Sequence, residues 1–248
     1  MGARKIAAER IHTIIALGAQ MKIIFIPGLI CTDQIWGKLN NLRHQYQCYN
    51  ADTTQHDSIE KMSDNIIKRL PDDEIVIIGI SMGGYIAIDM ALKMGKKLKK
   101  LILINTTSYP VNPATINDRL KGIQLAKDGK LNDVIEMYPG CCYFKPKNKW
   151  IALEKAMANQ LGSEAYINQQ NAIITRRNYS KLITNIQSET LIISGKNDAI
   201  IPYQDSIYLF ENIQNSTLTV LNECGHLSTL EKGSFVLNIV THFLNSLI

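Results

Sequence analysis

Six short apolar runs punctuate the chain, at residues 22–26, 46–49, 74–79, 101–105, 190–194 and 217–221, and most of them are rich in Ile, Leu and Val. Each is too short for a helix and has the length of a strand buried on both faces. The segments between them carry a different period. Ile59, Met62, Ile66, Ile67 and Leu70 follow the second run at helical spacing, and Tyr85, Ile88 and Leu92 follow the third at i, i+3 and i+7. Strands alternating with amphipathic helices predict right-handed crossovers, hence an α/β fold: a mostly parallel sheet of about six strands with helices on both faces.

One interval breaks the rhythm. About 80 residues separate the fourth run from the fifth, where a single crossover helix needs only about a dozen. Apolar positions there (Leu120, Ile123, Leu125; Leu131, Val134, Ile135, Met137; Trp150, Leu153, Met157, Leu161) predict several helices, separated by Asp128-Gly129 and Tyr138-Pro139-Gly140. Residues 108–185 therefore read as a helical lid with a returning core helix, and residues 21–107 and 186–248 as the core. Residues 1–20 do not alternate like strands and read as an appended extension. Arg4, Lys5 and Arg10 before an apolar stretch faintly resemble an export signal. Glu9 and His12 interrupt that stretch, however, and Ala7, Ile11, Ile14, Ile15 and Gly18 keep amphipathic-helix spacing.

Composition narrows the class. With 46% hydrophobic and 20% charged residues in 248, the chain is neither a disordered nor a collagen-like polymer. The net charge of +5 comes largely from Lys93, Lys96, Lys97, Lys99 and Lys100, which read as a solvated cluster near a helix end rather than a nucleic-acid patch. Cysteines 31, 48, 141, 142 and 224 form no CxxC pair and have no clustered His partners, which predicts neither a disulfide framework nor a zinc site. A reducing, cytoplasmic setting follows, and no apolar run reaches the roughly 20 residues that span a bilayer.

The chemistry concentrates in three loops. The third run leads into Gly79-Ile80-Ser81-Met82-Gly83 and then a helix. A Gly-x-Ser-x-Gly pattern alone arises by composition in roughly one such chain in twenty, so its strand-to-helix setting is what makes Ser81 a candidate nucleophile. Serine needs a neighbouring base. Of the five histidines, His12 lies in the extension, His44 and His56 in polar stretches and His242 inside the last helix. His226 alone stands in a loop directly after a strand, where it can reach the carboxyl edge of the sheet. The base needs a carboxylate in turn; Asp198, after the penultimate strand, ends on the same edge, with Asp205 and Glu223 as weaker substitutes.

In the order Ser, Asp, His after successive strands, Gly79-Ile80-Ser81-Met82-Gly83-Gly84, Gly195-Lys196-Asn197-Asp198 and Gly225-His226 resemble the α/β-hydrolase superfamily, as does Phe25-Ile26-Pro27-Gly28-Leu29. The likeness covers residues 21–248 as architecture. Pro27 stands where many members have His, a change that leaves a backbone oxyanion hole intact. The resemblance implies a catalytic triad of Ser81, Asp198 and His226, an oxyanion hole from the Leu29 and Met82 amides, and a sheet shortened to six strands. It further implies a lid whose Tyr143, Phe144, Trp150 and Met157, joined by Trp36, line an acyl pocket. The expected activity is serine hydrolysis of a small or medium carboxylic ester, with no metal or organic cofactor and no nucleic-acid partner. Thioester hydrolysis, C–C bond hydrolysis or lyase chemistry with the same triad, and a low-turnover receptor, are the alternatives.

Overall fold

The computed structural model of the chain describes residues 21–71, 74–137 and 140–246; the reading of residues 1–20 lies outside them. Strands β1 (Lys22–Ile26) and β2 (Gln47–Asn50) are joined through a kinked 3₁₀ segment, Asp33–His44, bent at Gly37. Helix α1 (Ile59–Ile67) precedes β3 (Ile75–Ile80), which runs into α2 (Met82–Met94) and then β4 (Leu98–Ile104). The long interval holds α3 (Ile116–Lys127), α4 (Leu131–Glu136) and α5 (Asn148–Thr175), the last broken at Gly162. Strand β5 (Glu189–Gly195), α6 (Tyr203–Asn212), β6 (Ser216–Leu221), α7 (Ser228–Glu231) and α8 (Gly233–Asn245) complete the described residues.

All six strands pair in parallel, in the order β2-β1-β3-β4-β5-β6. The two-residue period of a strand divides their side chains between two cores. Ile24, Ile26, Ile77, Leu101, Leu103 and Ile192 face α1, α2 and α6, while Ile23, Phe25, Val76, Ile78, Ile102 and Ile193 face the 3₁₀ segment and α8. Both faces of the inner strands are covered, which is why β1, β3, β4 and β5 read as continuous apolar runs, while the edge strand β2 is largely exposed. Strand order reverses at β1, whose successor β2 lies on one side and β3 on the other. The loops after β1 and β3 therefore leave in opposite directions and open a crevice at the carboxyl edge.

The long interval between β4 and β5 holds three helices. Beyond Gly162, α5 returns to the sheet, where Ala172 and Ile173 join the core shared with α2. The lower half of the insertion makes a separate small cluster of Ala126, Leu131 and Tyr166 packed on Leu29 and Ile30.

The lysine cluster is not uniformly solvated. Lys96 and Lys97 are exposed, but Lys93 bridges Asp64 and Asp89, and Lys99 pairs with Glu74. Lys100 is buried at 2% exposure because it belongs to β4, on the face of Ile102 and Ile104. Its ammonium donates to the Phe243 and Ser246 carbonyls, pairs with Glu189 and lies over the Phe243 ring, tying the sheet to the end of α8. Replacing Lys100 by Met keeps the stem's packing and strands those acceptors. The expected cost is about 3 kcal/mol of unfolding free energy, read as a lowered urea midpoint; an unchanged midpoint would mean that the ammonium contributes nothing net.

Candidate active site

Ser81 sits at the turn between β3 and α2 with φ 53° and ψ −119°, in the left-handed region that costs a side-chain-bearing residue about 1–3 kcal/mol. Neighbouring contacts hold it there. The Ser81 N–H donates to the Ile104 carbonyl, and the Ser81 carbonyl accepts from Gly84 N–H and the Thr106 hydroxyl. The turn also needs bare backbone at 79 and 83. A Cβ on Gly83 would lie 2.0 Å from the Ile26 carbonyl oxygen, and one on Gly79 would lie 2.5 Å from that of Gly83. Glycine is required there by close approach rather than by its own φ.

The three loops converge as expected. Ser81 Oγ lies 2.8 Å from His226 Nε2, and His226 Nδ1 lies 2.8 Å from Asp198 Oδ2. With Nδ1–H donating to Asp198, Nε2 is free to accept the serine proton. Asp198 is held from several sides: Oδ1 accepts from the Ile200 and Ile201 amides, and Oδ2 accepts from Asn105 Nδ2 at 2.9 Å. Burial acts to raise the Asp198 carboxyl, but the adjacent His226 and the hydrogen bonds from His226, Ile201 and Asn105 outweigh it and hold the pKa below its ordinary value. Of the other carboxylates, Asp205 lies on α6 and is raised by burial, and Glu223 is exposed and faces Lys145.

Several groups that hold this arrangement carry no motif. Asn105, fully buried and at φ 46°, donates to Asp198 and to the Gly225 carbonyl and accepts from the Ser228 hydroxyl. Its position directly after β4, on the edge that carries Ser81, is the signal that a search restricted to acids and bases passes over. Glu231 accepts from the Gly225 and Phe144 amides, and the Cys142 carbonyl accepts from the His226 and Leu227 amides. The histidine loop is thereby fastened to the insertion.

Leu29 and Met82 flank the serine. Met82 is the first residue of α2, where backbone N–H groups have no intrahelical partner. The loop bearing Leu29 packs on the turn, since a Cβ on Gly28 would lie 3.4 Å from that of Ser81. A cavity of about 120 Å³ opens beside this loop, walled by Leu29, Ile30, Ile135, Glu154 and Met157.

None of the four aromatic residues expected to line a pocket borders the cavity by Leu29. Trp36 has no exposed surface and packs on Phe25 in the core, because the kink at Gly37 turns its side chain beneath the sheet. Trp150 stacks on buried Tyr143 and faces an outer groove with Lys38 and Leu230. Phe144 is half-buried beneath Lys145. Met157 alone of the five borders the cavity by Leu29. Glu154, which no motif marks, lies there too; burial raises its carboxyl, against the opposing influence of Cys142, Tyr143 and His226.

Residues 33–135 match the family described as alpha/beta hydrolase fold. The chain has the α/β-hydrolase fold. Among solved α/β-hydrolase structures it is similar to a thermophilic esterase from Thermogutta terrifontis, with a TM-score of 0.81 and 21% identity over 92% of this chain and 90% of the other. It is 25% identical over 190 residues to 2-hydroxy-6-oxononadienedioate/2-hydroxy-6-oxononatrienedioate hydrolase 1 of Pseudomonas putida, covering 71% of this chain and 66% of that one, just under two thirds of its length. A pimeloyl-[acyl-carrier protein] methyl ester esterase from Nitrosospira multiformis is 24% identical over 205 residues, 73% of this chain and 72% of the esterase. The crevice lies where the loops after β1 and β3 part.

Because the folded-state pKa of Asp198 is depressed, its charge stabilises the fold above the ordinary carboxylate pKa, and that contribution fades as pH falls through the lowered value. The stability gap between wild type and Asp198→Asn should be widest above about pH 4 and close at lower pH. Urea midpoints measured from neutral to acid pH check this; a gap independent of pH would contradict it.

Proposed function

We propose that the chain is a serine hydrolase that cleaves a small or medium carboxylic ester through an acyl-enzyme on Ser81. The observation that carries this reading is the unbroken hydrogen-bond line from Ser81 Oγ through His226 to Asp198, 2.8 Å at each step. In the proposed reaction Ser81 Oγ bonds to the acyl carbon as its proton passes to His226 Nε2, and Asp198 stabilises the imidazolium. The oxyanion so formed accepts from the Leu29 and Met82 amides, each such donor being worth about 3 kcal/mol to the transition state. Collapse breaks the acyl–oxygen bond, the leaving alkoxide takes the proton from His226, and water repeats the sequence to release the acid and free Ser81. None of these steps calls on a metal or an organic cofactor.

The similar proteins include esterases and a 2-hydroxy-6-oxononadienedioate hydrolase, and one triad can serve ester, thioester or C–C bond hydrolysis. The cavity beside Leu29 is lined by apolar side chains together with Glu154 and Lys155, charges of both signs.

Hydrolysis of p-nitrophenyl esters from acetyl to decanoyl, followed at 400 nm or thereabouts by release of the phenolate, tests the proposal with Ser81→Ala in parallel. Wild-type turnover should fall at least about 10⁴-fold in the variant, and the chain-length optimum sizes the pocket. Equal rates in the two proteins would overturn the serine mechanism. A wild type inert toward every ester would overturn the ester reading and turn attention to thioesters and C–C substrates.

A further inference from the structure

We propose that Gln169, on the returning half of α5, is a positioning residue for the reaction: it holds the turn that presents the Leu29 amide to the oxyanion. This inference rests on the serine-hydrolase reading above. The turn runs from Gly28 to Cys31 and is closed by Cys31 N–H donating to the Gly28 carbonyl. Its third residue, Ile30, has φ 45°. Glycine or asparagine ordinarily takes such a position, and a β-branched residue is strained there. Left to itself, the turn would relax by rotating the peptide between Leu29 and Ile30, which drives Ile30 out of the left-handed region and shifts Leu29 with it.

One hydrogen bond opposes that rotation. The N–H of this same peptide, borne by Ile30, donates to Gln169 Oε1 at 2.7 Å. Gln169 is fully buried, and its amide group is itself fixed, with Nε2 donating to the Thr53 hydroxyl at 3.0 Å and to the Thr53 carbonyl at 3.3 Å. Thr53 is buried in the loop after β2. The chain of contacts therefore runs from the β2 loop through the helix of the insertion to the β1 loop. It fixes which end of the Gln169 amide faces Ile30, since the Thr53 acceptor takes the amino group and leaves the oxygen for the turn. A glutamine that only filled space would need neither end so placed.

The geometry makes a specific demand on variants. Leu at 169 keeps the bulk and removes the acceptor; Glu in its protonated form keeps an acceptor oxygen toward Ile30 and donates its O–H to Thr53 in place of Nε2. The probe is an alkyl fluorophosphonate, in which Ser81 Oγ bonds to phosphorus, the P–F bond breaks, and a phosphoryl oxygen occupies the oxyanion position. Adducts are counted on the Ser81 peptide by mass spectrometry over a range of reagent concentrations, with folding checked by thermal denaturation. Gln169→Leu should lower the maximal labelling rate roughly 100-fold, the scale of one lost oxyanion donor, while the concentration giving half-maximal rate stays the same. Gln169→Glu should remain within about tenfold of wild type, and Thr53→Val should show a smaller loss than Gln169→Leu in the same direction.

Labelling of Gln169→Leu at the wild-type rate, or of Gln169→Glu as slowly as Gln169→Leu, would overturn the positioning role while leaving the hydrolase reading intact. Folded wild type that is not labelled at Ser81 would overturn both. Should Gln169→Leu fail to fold, the decision falls to Gln169→Glu and Thr53→Val: wild-type labelling by Thr53→Val would overturn the proposal, and the graded loss would support it.

Discussion

The contact on which the site depends is the one between α2 and the end of β1, where Gly83 passes so close to the Ile26 carbonyl that even a methyl group would lie 2.0 Å from it. That approach brings the first turn of α2 against the loop carrying Gly28 and Leu29. It also leaves Ser81 no room to relax from φ 53°. Strain of this kind persists only where the surroundings over-determine it. Here β4 takes the Ser81 amide and Thr106 braces its carbonyl.

A parallel sheet supplies the remaining order. Because every strand runs the same way, the loops after β1, β3, β4, β5 and β6 all end on one edge, and each contributes a different part: Leu29, Ser81, Asn105, Asp198 and His226. None of these residues could assemble the site from its own loop. Two ties then join the insertion to this edge: Cys142 and Glu231 fasten the histidine loop, and Gln169 fastens the β1 loop. The insertion is thus tied to two of the loops that carry the candidate site.

Strands β1, β3, β4 and β5 were legible because burial on both faces writes them as runs rich in Ile, Leu and Val, whereas β2, Gln-Cys-Tyr-Asn on the sheet edge, carries no such run. Ser81, Asp198 and His226 were legible because each follows a strand within a few residues. What escaped the sequence depends on tertiary register. Lys100 belongs to β4 only if that strand begins at Leu98, and its inward direction follows from sharing a face with Ile102 and Ile104. Trp36 precedes a kink at Gly37 that has no periodicity to read, so its burial against Phe25 could not be told from a place in a pocket. Asn105 and Gln169 act through hydrogen bonds to residues 93 and 139 positions away, a separation at which spacing carries no signal.

The central claim is that Ser81 is the atom-bearing nucleophile, and catching it in covalent form is the most direct trial. Protein quenched in acid during turnover of a slowly deacylated p-nitrophenyl ester, then digested and mapped by mass spectrometry, should carry the acyl group on the peptide containing Ser81 and at that hydroxyl. Turnover with no acyl adduct at Ser81, or with the adduct on a different side chain, would contradict the account.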